Sequence, residues 1–304
     1  MLREQAKAYF ESFQDRLCAR LANVDGGAEF REDLWDYAPG DGPGVGGGRT
    51  RVIEGGALFE KAGVNVSALE GRLSDRIADR LNAEQRNFFA TGVSIVIHPE
   101  NPHIPTTHAN LRYLELTDDD GKPQRAWFGG GADLTPYYPD DEAAVQFHTA
   151  LKSACDGYQA DAYRRFKEEC DRYFFLAHRG EARGVGGIFY DYLEQDLDQT
   201  FSFTKSVGEA FLNVYPEIVE GRRDKPWTAE QRDWQLHRRG RYVEFNLIYD
   251  RGTLFGLETK GRTESILMSL PPHVRWSYDY DAKAGSAEEK LMQVVREPRD
   301  WVES

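Results

Sequence analysis

Ser94, His98, His103, His108, Asn110, Arg112 and Asp133 all fall within the stretch Gly92–Tyr138 of a 304-residue chain. A hydroxyl, imidazoles, an amide, a guanidinium and a carboxylate are groups that bind a ligand or move its protons. Burying them without a purpose is costly, because each polar group then needs a partner. Val93–Ile97 is rich in β-branched residues and predicts a strand, ended by Pro99 and Pro102. Alternate residues of a strand share a face, so Ser94, Val96 and His98 point one way. Thr107–Leu116 predicts the next strand, with His108, Asn110 and Arg112 on a common face by the same period. Two neighbouring strands would then present these groups to one cleft, and the stretch reads as a ligand site.

Each candidate has a plainer alternative. Imidazoles bind divalent metal, transfer protons, or sit satisfied in cores. His98-Pro99-Glu100 with a later histidine mimics the two-histidine, one-carboxylate pattern of non-haem iron sites. The flanking prolines, however, put Glu100 in a turn facing solvent. H-x-E without P-C-x-x-C is not a zinc deaminase signature, and HExxH is absent. Metal ligation and a hydrogen-bonding or core role both remain open for these histidines. The core role is favoured for His148, on an apolar helical stripe. Arginine forks fit carboxylates, although most arginines are solvated surface groups. Arg112 shares a face with His108; Arg179 and Arg183 flank a glycine-bearing turn, HRGEARGVGG; Arg262 follows Gly261. Asp133, directly after GGGA, sits where a ligand can approach closely or where it caps a turn. Ser94 lacks G-x-S-x-G, and no flavin, nicotinamide or haem-attachment motif is present, so no organic cofactor is expected.

The net charge of −13 argues against nucleic-acid or anionic-membrane partners. An anionic ligand would have to be drawn in by local arginines against the overall field. No run of about 18 apolar residues exists to cross a membrane. MLREQAKAYFESFQDRL has no signal-peptide h-region, and a cytoplasmic location is expected. Cys18, Cys155 and Cys170 read as structural free thiols.

Along the chain, Leu2–Ala22 has helical spacing and is stopped by Gly26-Gly27, which sets off 1–27 as an N-terminal helix. Gly40–Gly48 reads as a glycine-rich loop bordering a site, and supports neither a dinucleotide fingerprint nor a P-loop. Arg49–Ile53 predicts a strand and Leu69–Ala83 a helix. Asp140 opens a helix striped by Ala144, Phe147, His148, Leu151 and Cys155, and Tyr158–His178 predicts another. Ile188–Tyr190 is a short strand candidate and Phe203–Tyr215 a helix. Thr228–Gln231 is a capping box before a helix ending near Gly240. Tyr242–Tyr249 predicts a strand, turned at Asp250–Gly252 into a hairpin with Leu254–Leu257. Ser265–Leu270 predicts a further strand, and Ser286 caps a last helix. The hairpin-like succession favours a single α+β domain, 1–304, with a mainly antiparallel sheet.

HPENPHIPTTHANLRY, WFGGGADLTPYY, HRGEARGVGGIFYDYL and YVEFNLIYDRGTLFGLETKGRTESILMSLPP resemble, in order, the signature blocks of oxygen-dependent coproporphyrinogen III oxidases. The similarity runs from about Phe30 to near the C-terminus. The resemblance implies one large antiparallel sheet with helices on both faces, and a homodimer paired through 242–277. It implies oxidative decarboxylation of two propionates of coproporphyrinogen III, with O2 as co-substrate, giving protoporphyrinogen IX. It implies substrate contacts from Ser94, from Asn110, Leu111 and Arg112, and from Lys260, Gly261 and Arg262. Where Lys260 stands the family often has glycine. Asp133 would lie against the pyrrole N–H groups, Arg183 would clamp a propionate, and His108 would donate a proton. His98, His108, His148 and His178 match positions assigned as divalent-metal ligands. The alternatives are a metal-dependent oxygenase acting on another substrate and a non-catalytic tetrapyrrole-binding dimer.

Overall fold

The computed structural model describes residues 1–37, 44–80, 82–258 and 260–302. Its frame is a seven-stranded sheet in the order β1-β2-β3-β4-β5-β6-β9, every pair antiparallel. The strands are β1 (Arg31–Tyr37), β2 (Gly44–Glu54), β3 (Phe59–Arg72), β4 (Asn87–Pro99), β5 (Thr106–Thr117), β6 (Pro123–Thr135) and β9 (Gly186–Leu193). A two-stranded hairpin, β7 (Phe175–Leu176) and β8 (Glu181–Ala182), stands apart from it.

Period two divides the sheet into two unlike faces. Val64, Val66, Val93, Ile95, Ile97, Leu111, Phe128, Leu134 and Ile188 are buried on one face. Packed there are α1 (Leu2–Asp25), α3 (Asp141–Asp156) and α5 (Leu197–Glu220). Phe10, Phe13, Leu17 and Leu21 of α1 are wholly buried, each contributing roughly 1.5–3 kcal/mol of transfer free energy. The helix α4 (Ala162–Tyr173) packs along the edge strand β9. The other face carries Thr50, Asn65, Ser94, His98, His108, Asn110, Arg112 and Asp133. It is covered in part by α6 (Ala229–Ile248), α7 (Arg251–Glu258) and α8 (Thr263–Leu267). Short α2 (Asp75–Arg80) and C-terminal α9 (Ala287–Arg296) complete the chain. The expected α+β class, with helices flanking an antiparallel sheet, is what is found.

Local expectations fared unevenly. Asp140 accepts from the Ala143 amide and caps α3, and the Thr228–Gln231 capping box opens α6. All three cysteines are buried free thiols. Five expectations need correction. Tyr242–Tyr249 is not a strand but the second half of α6, which runs through Gly240. A Cβ at Gly240 would lie 3.0 Å from Trp276 Nε1, so this glycine admits a neighbour instead of ending the helix. Asp250–Gly252 is no hairpin: Asp250 accepts from the Thr253 amide at 2.7 Å and starts α7, which includes Leu254–Leu257. Ser265–Leu270 is not a strand; Ser265 belongs to α8, and its hydroxyl bonds Thr50 at 2.7 Å. Leu69–Ala83 is mostly not helical, because β3 runs on to Arg72 and α2 starts only at Asp75. Of the glycine-rich loop, Gly44–Gly48 is strand β2, and Gly40–Pro43 lies outside the described residues. Among the described residues no helix is long and apolar enough to cross a membrane.

Candidate functional site

Directly opposed residues of an antiparallel pair share a face. His108 stands between Val96 and Asp133, Asn110 between Ser94 and Gly131, and Arg112 between Gly92 and Gly129. The strands thus place hydroxyl, amide, imidazole, guanidinium and carboxylate side by side on a floor interrupted by glycines. Ser94, His108, Asn110 and Arg112 are part-exposed, whereas the alternate residues Val93, Ile95, Ala109 and Leu111 are buried in the opposite core. Leu111 is therefore a core residue whose side chain faces away from the cleft, unlike those of its two neighbours.

The centre of the cleft is a buried polar cluster. Asp133 Oδ1 accepts from His108 Nδ1 at 2.9 Å and from Arg183 Nη2 at 2.8 Å, and Oδ2 accepts from Arg183 Nε at 3.0 Å. Arg183 also donates to Asn246 Oδ1 at 2.8 Å. Its guanidinium lies 4.0 Å from the Phe174 ring centroid, 4.6 Å from Tyr242 and 4.8 Å from Phe245. Burial by itself would raise the Asp133 pKa, but Arg183 and His108 hold it below the ordinary carboxylate value. An ionised Asp133 accepting from Nδ1 leaves His108 Nε2 as the lone-pair nitrogen when the ring is neutral. Arg183, 3% exposed and committed to Asp133 and Asn246, is not placed to clamp a propionate. Asp133 accepts three hydrogen bonds in all, two from Arg183 and one from His108.

A second carboxylate, Asp250, lies near His108. Asp250 accepts from Tyr173 Oη at 2.8 Å and from the Thr253 amide at 2.7 Å. Burial acts to raise its pKa, but the Thr253 amide and the charge on His108 hold it below the ordinary value. Next to it, the Arg251 guanidinium lies 4.8 Å from the Tyr173 ring and 5.5 Å from Phe189. Phe189 also meets Arg112 at 5.8 Å. Arg112 pairs with Asp191 at 2.9 Å and donates to Asn110 at 2.8 Å. Among the described residues Arg251 makes no ion pair. Asp250 and Arg251 were missed because Asp-Arg-Gly reads as a reverse turn; the missing signal was an aspartate capping a helix start.

Arg262 is at the far edge, paired with Asp33 of β1 beside Trp35. Four strand spacings, about 19 Å, separate β1 from β5, which carries Arg112. Lys260, at φ 59°, and Gly261 form the turn between α7 and α8 that delivers Arg262. An apolar wall of Leu73, Phe88, Leu116 and Trp127, joined by Phe255 of α7, borders the same face. Cations around apolar surface suit a large ligand with carboxylates on its periphery. Arg179 is elsewhere, held bidentately by Glu244.

The four histidines expected as metal ligands do not converge. His98, wholly buried, bonds Thr106 Oγ1 at 3.2 Å and the Ser269 carbonyl at 2.9 Å. His148 bonds Tyr163 Oη at 2.8 Å and the Val185 carbonyl at 3.1 Å, and His178 bonds Tyr249 and Glu244. Among the described residues no three of His, Cys, Asp or Glu form a ligand group. The described residues do not fit a shared metal. Compared with models of protein families, residues 5–301 match that of coproporphyrinogen III oxidase. With nearly its whole length matched, and with a cleft of arginines around a buried carboxylate–imidazole pair, the chain belongs to the coproporphyrinogen III oxidase family.

Proposed function

We propose that this family member is the oxygen-dependent enzyme, converting two propionates of coproporphyrinogen III to vinyl groups without an organic cofactor. The observation that carries the reading is the His108–Asp133–Arg183 cluster at the centre of an arginine-edged cleft. In each half-reaction the bond from the side chain to its carboxylate breaks, and so does one C–H bond on the ring-proximal carbon. The two electrons pass through the electron-rich pyrrole to O2. With one proton from that C–H bond and one from the medium, O2 becomes H2O2, and CO2 leaves. The protein's tasks are to orient, to move protons and to exclude water. Arg112, Arg251 and Arg262 hold propionates at the rim. Asp250 accepts pyrrole N–H bonds and stabilises positive charge that develops on the ring. His108 Nε2 exchanges the pyrrole or carbon proton, with Asp133 fixing its tautomer and Arg183 fixing Asp133. Ser94 and Asn110 line the floor between them. The same reading includes a cytoplasmic homodimer paired through 242–277, where Leu247, Ile248, Leu257 and Trp276 stand exposed.

The test is incubation of the pure protein with coproporphyrinogen III in air and under anaerobic conditions, each with and without a chelator. Protoporphyrin is expected in both aerobic tubes only. Product without O2 overturns the oxygen dependence, and product lost only to the chelator overturns the metal-free chemistry. Arg251→Ala is expected to raise KM by about 10- to 100-fold with kcat much less affected, the scale of one hydrogen bond to a charged group. An unchanged KM removes Arg251 from the propionate set. Gly129→Ala would set a Cβ 2.8 Å from Arg112 Nε and 2.6 Å from Asp191 Oδ1. Both atoms belong to movable side chains, so the change should raise KM through a displaced Arg112 while thermal stability stays close to wild type. Equal KM values for Gly129→Ala and wild type would show that Arg112 does not hold substrate.

A further inference from the structure

Away from the cleft, Arg179, Glu181, Trp234, His237, Arg238, Arg241, Tyr280 and Arg296 line a cavity of about 490 Å³. None of the sheet-face residues above contributes to it. Its wall is built of arginines and carboxylates. Arg238 pairs with Glu181 at 2.6 Å, Arg241 with Glu244 at 3.2 Å, and Arg179 with Glu244 at 2.7 Å. Three guanidiniums therefore share two carboxylates. Asp279, Asp281 and Glu289 also line the cavity; Asp279 and Asp281 are exposed, and Glu289 accepts from the Gly285 amide.

Two buried donors in this wall lack acceptors. Arg241 Nη2 lies 3.3 Å from His237 Nε2. Arginine can only donate, so Nε2 accepts and the ring hydrogen sits on Nδ1. His237 is 4% exposed, and among the described residues its Nδ1 has no hydrogen-bond partner. Arg241 is 9% exposed, and its Nε, 3.5 Å from Glu181 Oε1, makes no hydrogen bond either. Burial and the neighbouring arginines hold His237 at about 4, so the ring is a neutral donor near pH 7. Tyr280 covers the ring at 4.3 Å between centroids.

Unpaired buried donors call for a ligand that accepts hydrogen bonds. We propose that this cavity is a second binding site, taking a small oxyanion on His237 Nδ1–H and the guanidiniums of Arg241 and Arg296. The shared chemistry is that of phosphate and carboxylate groups.

The test titrates inorganic phosphate, and separately succinate, into the full-length protein by calorimetry at constant ionic strength. The cleft is first saturated with coproporphyrin III, the oxidised relative of the substrate. Saturable binding of one or both anions is expected, and the one that binds identifies the group recognised. His237→Phe keeps a ring against Tyr280 and removes the donor; it should weaken binding at least about 10-fold. If that variant does not fold, the wild-type Nδ1–H resonance of His237 gives a second readout and should shift on titration. No saturable binding, binding abolished by the porphyrin, an affinity unchanged in the folded variant or an unmoved resonance would each overturn the site.

Discussion

Asp133→Ala is expected to lower turnover at least about 100-fold, the lower end of what a positioned proton-transfer group contributes, and to cost about 3–5 kcal/mol of stability. Both effects follow from one arrangement. Asp133 is 1% exposed and takes two hydrogen bonds from Arg183 and one from His108. Without it a guanidinium remains buried among Phe174, Tyr242 and Phe245 with no counter-charge, and the His108 ring loses the bond that fixes its tautomer. Urea unfolding and steady-state kinetics on the single variant, and on Asp133→Ala/Arg183→Met, separate the two. The double variant removes the stranded charge and should recover much of the stability but none of the turnover. Recovery of turnover in the double variant would mean that Asp133 serves only to neutralise Arg183. Near-normal stability of the single variant would contradict the buried pairing itself.

Stability should also fall by about 3 kcal/mol between pH 7.5 and 5.5. His98 and His148 are wholly buried and bonded as neutral rings. Burial, and then the charge on Arg239, pushes the His98 pKa well below the ordinary 6.5. Burial, with Lys167 acting in the same direction, pulls His148 down to about 3. The unfolded chain takes up these protons near pH 6.5 and the folded chain does not. Their stabilisation is therefore complete above pH 6.5 and is lost as pH falls toward 3, at about 1.4 kcal/mol per pH unit for each ring. His237 adds to the loss in the same direction. Urea midpoints at the two pH values measure the effect, and His148→Gln should remove about half of it. A flat profile over that interval would show that these rings accept protons without unfolding.

The central strands were legible because their chemistry repeats every second residue. Ser94 with His98, and His108 with Asn110 and Arg112, could be assigned to one face before any pairing was known. Strand β3 went unread because its inward residues are Ala62, Val64 and Val66, and Gly63 and Asn65 between them dilute any run of β-branched residues. The C-terminal third misled for the opposite reason. Arg241–Tyr249 is rich in aromatic and branched residues, and locally that composition favours a strand. The helix α6 that contains nearly all of it nonetheless buries Arg238, Tyr242, Phe245 and Asn246, a spacing of four, three and one that a helix brings to one side. Tertiary packing decides there, because Tyr242 and Phe245 enclose Arg183 and Asn246 bonds it. The same misreading hid Asp250 and Arg251. Resemblance supplied Asp133, but its ion pair with Arg183 needed β6 and the chain between β8 and β9 to be seen together.

The order of elements along the chain has a consequence for biosynthesis. Six of the seven strands of the main sheet, β1 to β6, precede residue 136, and each after β1 pairs with its immediate predecessor. Such a meander can zip up from the N-terminus as the chain emerges, since its contacts are local in sequence. Arg183, Asn246 and Ser269, which neutralise Asp133, hold Arg183 and bond His98, all arrive later. Half-made chains therefore carry a nearly complete sheet whose polar face is still wet and whose central carboxylate is still without its arginine. The active face is the last part of the molecule to dry, and ribosome-bound chains that stop before α6 should hold a folded scaffold with no working cleft.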